Sequence, residues 1–299
     1  SRRSRRKTKP HVWPNWANKP LLLRLEDWLK DATAALSTVA EQPRAEARRL
    51  IEYVCDWDTV HQISEPGALL TREQFEILNS LLARRNAQEP LSRILGRREF
   101  WGLDLSIRGA TLDPRADTET LIELVLDTLG SNPPEKILDL GTGSGAILLA
   151  LLSEYPAAQG LGIDQSAKTL DAAATNAAAL GLAPRAQFAM GDWMNGLTER
   201  FDLIVSNPPY IPTKDLRNLK RNVRAFDDAL ALDGGEDGLS FYRRTLEAAG
   251  NHLKPGGMLG LELGIDQQAD VIEIAEALGW TLAGQRTDLG GVPRALVFV

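Results

Sequence analysis

The first hydrophobic pattern along the chain has the spacing of α-helices. Between residues 21 and 96, apolar side chains such as Leu25 and Trp28 recur every three to four positions. This period places them on one face of a helix. Thr71, with Gln74 three residues later, is typical of a helix start. Residues 21–96 are therefore predicted to form a small all-α domain.

A second pattern, in which apolar and polar residues alternate, covers the short segment after residue 96. Leu103, Leu105 and Ile107 occupy every second position, and Phe100 precedes them. A period of two is that of a β-strand with one buried face. The pattern predicts a short β-ribbon, and we interpret residues 97–112 as the linker between two domains.

A third pattern, in which helical segments alternate with short apolar runs, fills residues 113–299. The runs at 136–140 and 201–206 have the length and composition of buried strands. Alternating strands and helices predict a parallel, doubly wound sheet. The last two apolar segments meet at Gly290-Gly291, which predicts a terminal antiparallel hairpin. This order of elements is typical of the class I methyltransferase fold, a Rossmann-like α/β architecture.

Composition and charge add a basic tail and an acidic body to this picture. The chain is 43% apolar and 25% charged, as is ordinary for a globular protein. Residues 1–20 are predicted to be a disordered tail, and residues 1–10 carry six Lys or Arg, so the remainder sums to -12 (-6 minus +6). Such a body is a poor match for nucleic acid, whose affinity comes largely from phosphate neutralisation.

The compartment is predicted from two further properties. The single cysteine, Cys55, permits no internal disulfide, and no apolar run reaches membrane-spanning length. We therefore expect a cytoplasmic protein with no membrane partner, and we expect it to be a monomer.

A glycine-rich turn follows the apolar run at 136–140 and precedes a helix. It consists of Gly141, Thr142, Gly143, Ser144 and Gly145. Glycines let the backbone approach a ligand closely, and a helix N-terminus favours a negative group. A dinucleotide-binding dehydrogenase would have the spacing G-x-G-x-x-G. The spacing here, with Ala146 in the sixth place, favours S-adenosylmethionine (SAM) and leaves a dehydrogenase as the alternative.

Two further strand ends carry side chains that suit the nucleoside part of such a cofactor. Asp164 ends the next apolar run, where a carboxylate can accept both ribose hydroxyls. Its alternative role is to cap the following helix. Asp192 can accept from the adenine amino group, and Trp193 can cover the ring face. The alternatives are a turn aspartate and a core tryptophan.

The most specific feature is the loop after the strand at 201–206. It consists of Asn207, Pro208, Pro209 and Tyr210. The two prolines cannot continue the strand, because each lacks an N–H and fixes φ. A residue before proline is extended, so the loop presents an amide, carbonyls and an aromatic ring at the ligand-binding edge of the sheet. Such a loop can hold a planar group that carries an NH2.

The sequence Asn207-Pro208-Pro209-Tyr210 resembles the acceptor motif of methyltransferases that act on planar nitrogens: adenine N6, guanine N2 and the glutamine amide. Other segments narrow the resemblance to the HemK/PrmC family, the peptide chain release factor glutamine N5-methyltransferases. These segments are Glu89-Pro90, Gly96, residues 98–101, residues 114–119 and residues 232–238. The resemblance covers residues 21–299. Two departures are Ala116, in place of a second proline, and Asp113, in a normally apolar position.

The resemblance implies methyl transfer from S-adenosyl-L-methionine to the glutamine of the Gly-Gly-Gln loop of release factors, with S-adenosyl-L-homocysteine as product. Asn207 Oδ1 and the Pro208 carbonyl would then accept the two amide N–H bonds, with Asn207 also next to the cofactor. Pro209 would belong to the substrate-binding loop, and Tyr210 would stack on the amide or simply pack the loop. No general base and no metal are expected, because an N-alkylated amide cation loses its proton readily.

Three alternatives remain open from the sequence. The substrate could be a ribosomal-protein glutamine, or the adenine of DNA or RNA, although the acidic body disfavours nucleic acid. A SAM-binding regulatory or assembly protein without turnover is the alternative that is not an enzyme. The all-α domain at 21–96 is interpreted as a docking module for a protein substrate, or else as a stabilising cap.

Overall fold

The structure is a computed structural model, and it describes residues 23–107, 113–219, 228 and 231–299. The chain divides into two compact units, Ser1–Gln88 and Glu89–Val299. The basic tail predicted for residues 1–20 lies outside the described residues. No helix in the described ranges is both long and apolar enough to span a membrane.

The first unit is helical around an apolar centre. Its helices are α1 (Leu25–Leu36), α2 (Pro43–Cys55), α3 (Thr59–Ser64) and α4 (Arg72–Asn86), and the short strands β1 (Leu23–Arg24) and β2 (Leu69–Leu70) pair antiparallel. Trp28 and Leu50 are buried at the centre. The predicted start of α4 is confirmed by a capping box, in which Thr71 and Gln74 satisfy each other's backbone N–H groups.

An ion pair fastens the end of α4 to the rest of the first unit. Arg85 Nε donates to Glu46 Oε2 at 2.6 Å, and Arg85 Nη2 donates to the Val39 carbonyl at 2.9 Å. Both charged side chains are mostly buried, at 12% and 19% exposure. A pair that is sheltered in this way is screened less by salt than an exposed pair.

The second unit contains the alternating strands and helices. Its helices are α5 (Leu91–Leu95), α6 (Glu119–Leu129), α7 (Ala146–Glu154), α8 (Ala167–Ala179), α9 (Ser240–His252) and α10 (Gln268–Ala277). Its strands are β3 (Arg97–Phe100), β4 (Leu103–Ser106), β5 (Lys136–Leu140), β6 (Gln159–Asp164), β7 (Ala186–Met190), β8 (Phe201–Ser206), β9 (Leu253–Glu262), β10 (Leu282–Thr287) and β11 (Pro293–Phe298). Short 3-10 turns cover Ala116–Thr118 and Thr213–Asn218.

The main sheet of the described residues has seven strands in the order β7-β6-β5-β8-β9-β11-β10. Pairs from β7 to β9 are parallel, whereas β11 runs antiparallel to both β9 and β10. Apolar clusters cover both faces, with α6 and α7 in one and α9 and α10 in the other. The predicted α/β class I methyltransferase fold with a terminal antiparallel hairpin is therefore confirmed.

The β-ribbon is present, but it belongs to the second unit. Strands β3 and β4 pair antiparallel, and both lie after the division between Gln88 and Glu89. Phe100 and Leu105 are buried in the same apolar cluster as Leu121 of α6. This burial attaches the ribbon to the sheet domain, whereas the sequence was interpreted as a linker that begins after residue 96.

From its place just before the helical pattern at 118–129, Asp117 is predicted to be the N-cap of α6, and the structure differs. Helix α6 begins at Glu119 after the 3-10 turn, so Asp117 is not its N-cap. Instead the Asp117 carboxylate lies 3.3 Å from Nη2 of Arg294 on β11. The Asp117 side chain therefore forms a tertiary ion pair with Arg294 and does not cap the helix.

Candidate active site

A cavity of about 260 Å³ lies at the carboxyl ends of β5, β6 and β8. From β5 the sheet is built outward in both directions, to β6 and β7 on one side and to β8 on the other. Ligands of open α/β sheets bind at such a switch point. The residues around the cavity are Gly141, Gly143, Ile163, Asp164, Gln165, Ser166, Thr169, Gly191, Trp193, Asn207, Pro209, Asp228, Ala231 and Phe241.

The glycine-rich turn supplies a wall without side chains. Gly141, Gly143 and Gly145 have φ values of +69°, +55° and +80°. These angles lie in the left-handed region, which favours glycine over residues with a Cβ. The Gly143 N–H donates to Asp164 Oδ2 at 2.9 Å, so the turn is fastened to the end of β6. Gly141 and Gly143 line the cavity, and their contact with a cofactor stays a prediction.

The other residues of this turn support it from behind. Thr142 is buried and donates from Oγ1 to Asp139 Oδ2 at 2.6 Å. The Ser144 carbonyl accepts from Asn176 Nδ2 at 3.0 Å. A Cβ at Gly145 would lie 3.2 Å from the Ala173 side chain. Thr142, Ser144 and Gly145 are not among the cavity residues, and their contact with a cofactor stays a prediction.

Asp139 is a buried acid beneath the turn. It is 1% exposed, and burial raises the pKa of its carboxyl from 3.8 to about 7, although the hydrogen bond from Thr142 lowers it in part. Its Oδ1 has no hydrogen-bond partner in the described structure. An unpaired buried carboxylate oxygen costs stability, because it has left water without compensation.

Asp164 reaches the cavity with a fixed orientation. Its Oδ1 accepts from the Ser166 N–H at 2.9 Å, and its Oδ2 accepts from Gly143. The N-cap of α8 is Ser166, so Asp164 does not cap the helix itself but bonds to the residue that does, and its contact with a ribose stays a prediction. A carboxylate has about four acceptor positions, which leaves capacity for hydroxyl donors.

Asp192 and Trp193 lie side by side in the sequence and point to different surroundings. Both Asp192 oxygens accept from Arg244, each at 2.7 Å, and these bonds hold the pKa of the Asp192 carboxyl below its usual range. Asp192 is not among the cavity residues. Trp193 is among the cavity residues and is 6% exposed. Its Nε1 donates to Thr245, and the centre of its ring lies 4.8 Å from that of the Phe241 ring.

Two of the four residues of the acceptor loop line the cavity. Asn207 and Pro209 line it, whereas Pro208 is buried and Tyr210 is partly buried outside the cavity wall. Asn207 Nδ2 donates to Thr118 Oγ1 at 3.3 Å. Burial raises the pKa of Tyr210 to about 12, so its phenol stays protonated at neutral pH. The substrate roles of Pro208 and Tyr210 stay predictions.

Several cavity residues were not found by sequence reasoning. Gln165 and Ser166 directly follow Asp164, and Thr169 lies in the first turn of α8; the signal for them was polar residues just after a strand end. Phe241 lies on α9, where a helical pattern gives no sign of a ligand.

One of the two departures from the family pattern, Asp113, has a hydrogen-bond partner in the structure: Ser92 Oγ donates to Asp113 Oδ2 at 2.5 Å.

Comparison with known proteins gives a consistent result over both units. Residues 27–96 match the family model "PrmC N-terminal domain", and residues 115–235 match "Methyltransferase small domain". The release factor glutamine methyltransferase of Rhodospirillum rubrum is 45% identical over 260 residues, which are 86% of this chain and 79% of the relative. That of Caulobacter vibrioides is 42% identical over 275 residues, covering 92% and 93%.

Among solved structures, the hMettl16 catalytic domain in complex with MAT2A 3'UTR hairpin 6 is similar in fold. Its TM-score is 0.52 at 16% identity, and the match covers 78% of this chain and 84% of that one. At this identity the likeness concerns the fold alone.

Proposed function

The chain belongs to the family of release factor glutamine methyltransferases, and from this we propose that it methylates peptide chain release factors. It is a SAM-dependent methyltransferase, and the proposed acceptor is the side-chain amide nitrogen, N5, of the glutamine in the Gly-Gly-Gln motif. The observation that carries the proposal is that one cavity is bordered by the glycine turn, by Asp164 and by Asn207 of the acceptor loop.

The residues around the cavity fit SAM. Gly141 and Gly143 offer backbone in place of side chains to the amino-acid end, and Asp164 can accept from the ribose hydroxyls. Trp193 and Phe241 present aromatic rings that suit adenine. Because Arg244 already binds Asp192, we assign adenine to the two rings rather than to that carboxylate. When bound, SAM supplies a methyl group that is electrophilic because its sulfur is positively charged.

The acceptor loop has the task of orienting a weak nucleophile. An amide nitrogen is unreactive because its lone pair is delocalised into the carbonyl. We propose that Asn207 Oδ1 and the Pro208 carbonyl accept its two N–H bonds, while Tyr210 packs on the amide plane. Correct orientation of reactants can supply about 7–11 kcal/mol of a barrier. With its raised pKa of about 12, Tyr210 serves as a surface and not as a base.

The remaining assignments concern the whole chain. We propose that the helical unit, with residues 21–96 as its predicted extent, docks the protein substrate. Its match to a family-specific amino-terminal domain supports this role. We further propose that the enzyme acts as a monomer in the cytoplasm, where a release factor would meet it.

The test is incubation of the enzyme with methyl-labelled SAM and purified release factor, followed by mapping of the labelled peptide. Label is expected on the glutamine of the Gly-Gly-Gln motif. A release factor with glutamate at that position is the matched control, because it has no amide to methylate. Label on a ribosomal protein or on nucleic acid would overturn the substrate assignment.

A further inference from the structure

Three polar residues that are distant in the sequence meet behind the acceptor loop. Thr118 ends the 3-10 turn before α6, Asn207 follows β8, and Glu262 ends β9. Thr118 is 3% exposed and Glu262 is 1% exposed. Neither is among the cavity residues, whereas Asn207 is. The connection from these two residues to the cavity runs through Asn207, which is bonded to Thr118.

The hydrogen bonds of this group have one direction while Glu262 is ionised. The Thr118 hydroxyl donates to the Glu262 carboxylate, and it accepts from Asn207 Nδ2 at 3.3 Å. A hydroxyl has one proton to donate. Once that proton points at Glu262, only the NH2 end of the Asn207 amide can face Thr118. The other end of the amide, Oδ1, must then point away from Thr118.

The surroundings of Glu262 make its charged form costly to bury. Burial raises the pKa of its carboxyl to about 7, while Arg294 and Arg115 lower it and Asp117 raises it. Its Oε2 has no hydrogen-bond partner in the described part of the chain. A buried carboxylate with an unpaired oxygen destabilises a fold. A role in directing the Thr118 proton would account for a buried acid at this position next to the acceptor loop.

We propose that Thr118 and Glu262 are positioning residues that hold the Asn207 amide with Oδ1 toward the acceptor. This inference rests on the proposed function, in which Asn207 Oδ1 accepts an N–H bond from the substrate amide. If the Asn207 amide were reversed, its NH2 group would face the N–H of the substrate amide. Two donors repel each other, so the substrate nitrogen would be displaced from its reactive position. The Thr118–Glu262 pair thus selects one of two nearly isosteric orientations.

The first experiment measures the hydrogen bond without any turnover. Full-length enzyme is labelled with 15N-asparagine, and the side-chain NH2 signal of Asn207 is identified by its loss in Asn207→Asp. Thr118→Val keeps the shape but removes the hydroxyl, so this signal should shift, while Thr118→Ser should preserve it. Thr128→Val, which removes a hydroxyl from the other end of α6, is the control. An unshifted signal in Thr118→Val would overturn the proposal.

The second experiment measures the consequence. In Thr118→Val, kcat should fall by about 10- to 100-fold, as expected for a misplaced reactive group. Its Kd for SAM should stay within about twofold, which also shows that the variant folds. Thr118→Ser should recover most of kcat, and Glu262→Gln, whose side chain can accept or donate, should lie between. Equal losses in Thr118→Val and Thr118→Ser would indicate packing alone and overturn the proposal.

Failure of this inference is distinguishable from failure of the proposed function. If wild-type enzyme does not label release factor, the substrate assignment is wrong, and the NMR comparison still decides whether Thr118 holds Asn207. If wild-type enzyme labels release factor but Thr118→Val does so at the same kcat, the positioning role is wrong.

Discussion

Replacement of Asp164 by asparagine tests the assignment of the ribose site. Asparagine has the same shape but lacks the charge and one of the two oxygens. In the structure the two carboxylate oxygens already accept from Gly143 and Ser166, each at 2.9 Å. The substituted amide can keep only one of these backbone bonds, and its NH2 would meet the other N–H. The variant therefore changes both the ligand contact and the glycine turn.

The two effects have separate magnitudes. A hydrogen bond to a charged acceptor contributes about 1.5–3 kcal/mol, so two ribose hydroxyls on Asp164 correspond to about 3–6 kcal/mol. This predicts a rise of roughly 10²- to 10⁴-fold in the Kd for SAM. Loss of one backbone bond costs about 1.5–3 kcal/mol in the free energy of unfolding without ligand. The second quantity is measured on the ligand-free protein, so the effect on the turn is determined separately from the Kd for SAM.

Calorimetry with S-adenosylhomocysteine and its 2',3'-dideoxy analogue isolates the ribose contact. Removal of the hydroxyls should weaken binding to wild-type enzyme and have little effect in Asp164→Asn. Asp171→Asn is the matched control, because this aspartate is exposed on α8 and is not among the cavity residues. An unchanged Kd in Asp164→Asn, or the same penalty for the dideoxy ligand in both proteins, would refute the ribose assignment.

Three further changes have defined outcomes. Asn207→Ala should abolish labelling of release factor while calorimetry finds SAM affinity nearly intact; equal loss of both would contradict its role as acceptor clamp. Asp139 has a folded pKa of about 7 against 3.8, so it contributes a fall in the unfolding free energy as pH rises between these values, of about 1.4 kcal/mol per pH unit. Asp139→Asn should remove this contribution in urea titrations and leave that of Glu262, whose pKa is also raised to about 7, and an unaltered slope would count against the shift. Gly162→Ala should destabilise by about 1–3 kcal/mol, because its Cβ would lie 2.8 Å from Thr142 Oγ1, whereas Gly67→Ala meets nothing within 4 Å and should change the melting temperature little.

The strands were predictable because local signals mark both of their ends. The apolar run of β5 ends at a glycine turn and that of β8 ends before two prolines, and the bounds 136–140 and 201–206 agree with the structure. Helix α6 shows the limit of such signals. Asp117 had the sequence of a helix cap, but an arginine on β11, 177 positions later (294 minus 117), engages it instead. A pattern within a few residues contains no information about that partner.

The site was predictable where strand ends decide the geometry. Gly141, Asp164 and Asn207 each follow or end a parallel strand, and parallel strands bring their carboxyl ends to one edge. Side chains placed by helix packing were not predictable in this way. Phe241 enters the cavity from α9, and Arg244 of the same helix draws Asp192 out of contact with it. Both depend on how α9 lies on the sheet.

Two buried acids support the site from the strands on either side of β8. Asp139 on β5 accepts from Thr142 of the glycine turn, and Glu262 on β9 accepts from Thr118 behind the acceptor loop. In both, burial raises the pKa to about 7 and one oxygen has no partner among the described residues. Both therefore lower the stability of the fold as pH rises toward neutrality. Each acid accepts from a threonine hydroxyl behind one half of the site, Asp139 behind the glycine turn and Glu262 behind the acceptor loop, so the role that we propose for Glu262 on the acceptor side has a structural counterpart in Asp139 on the other.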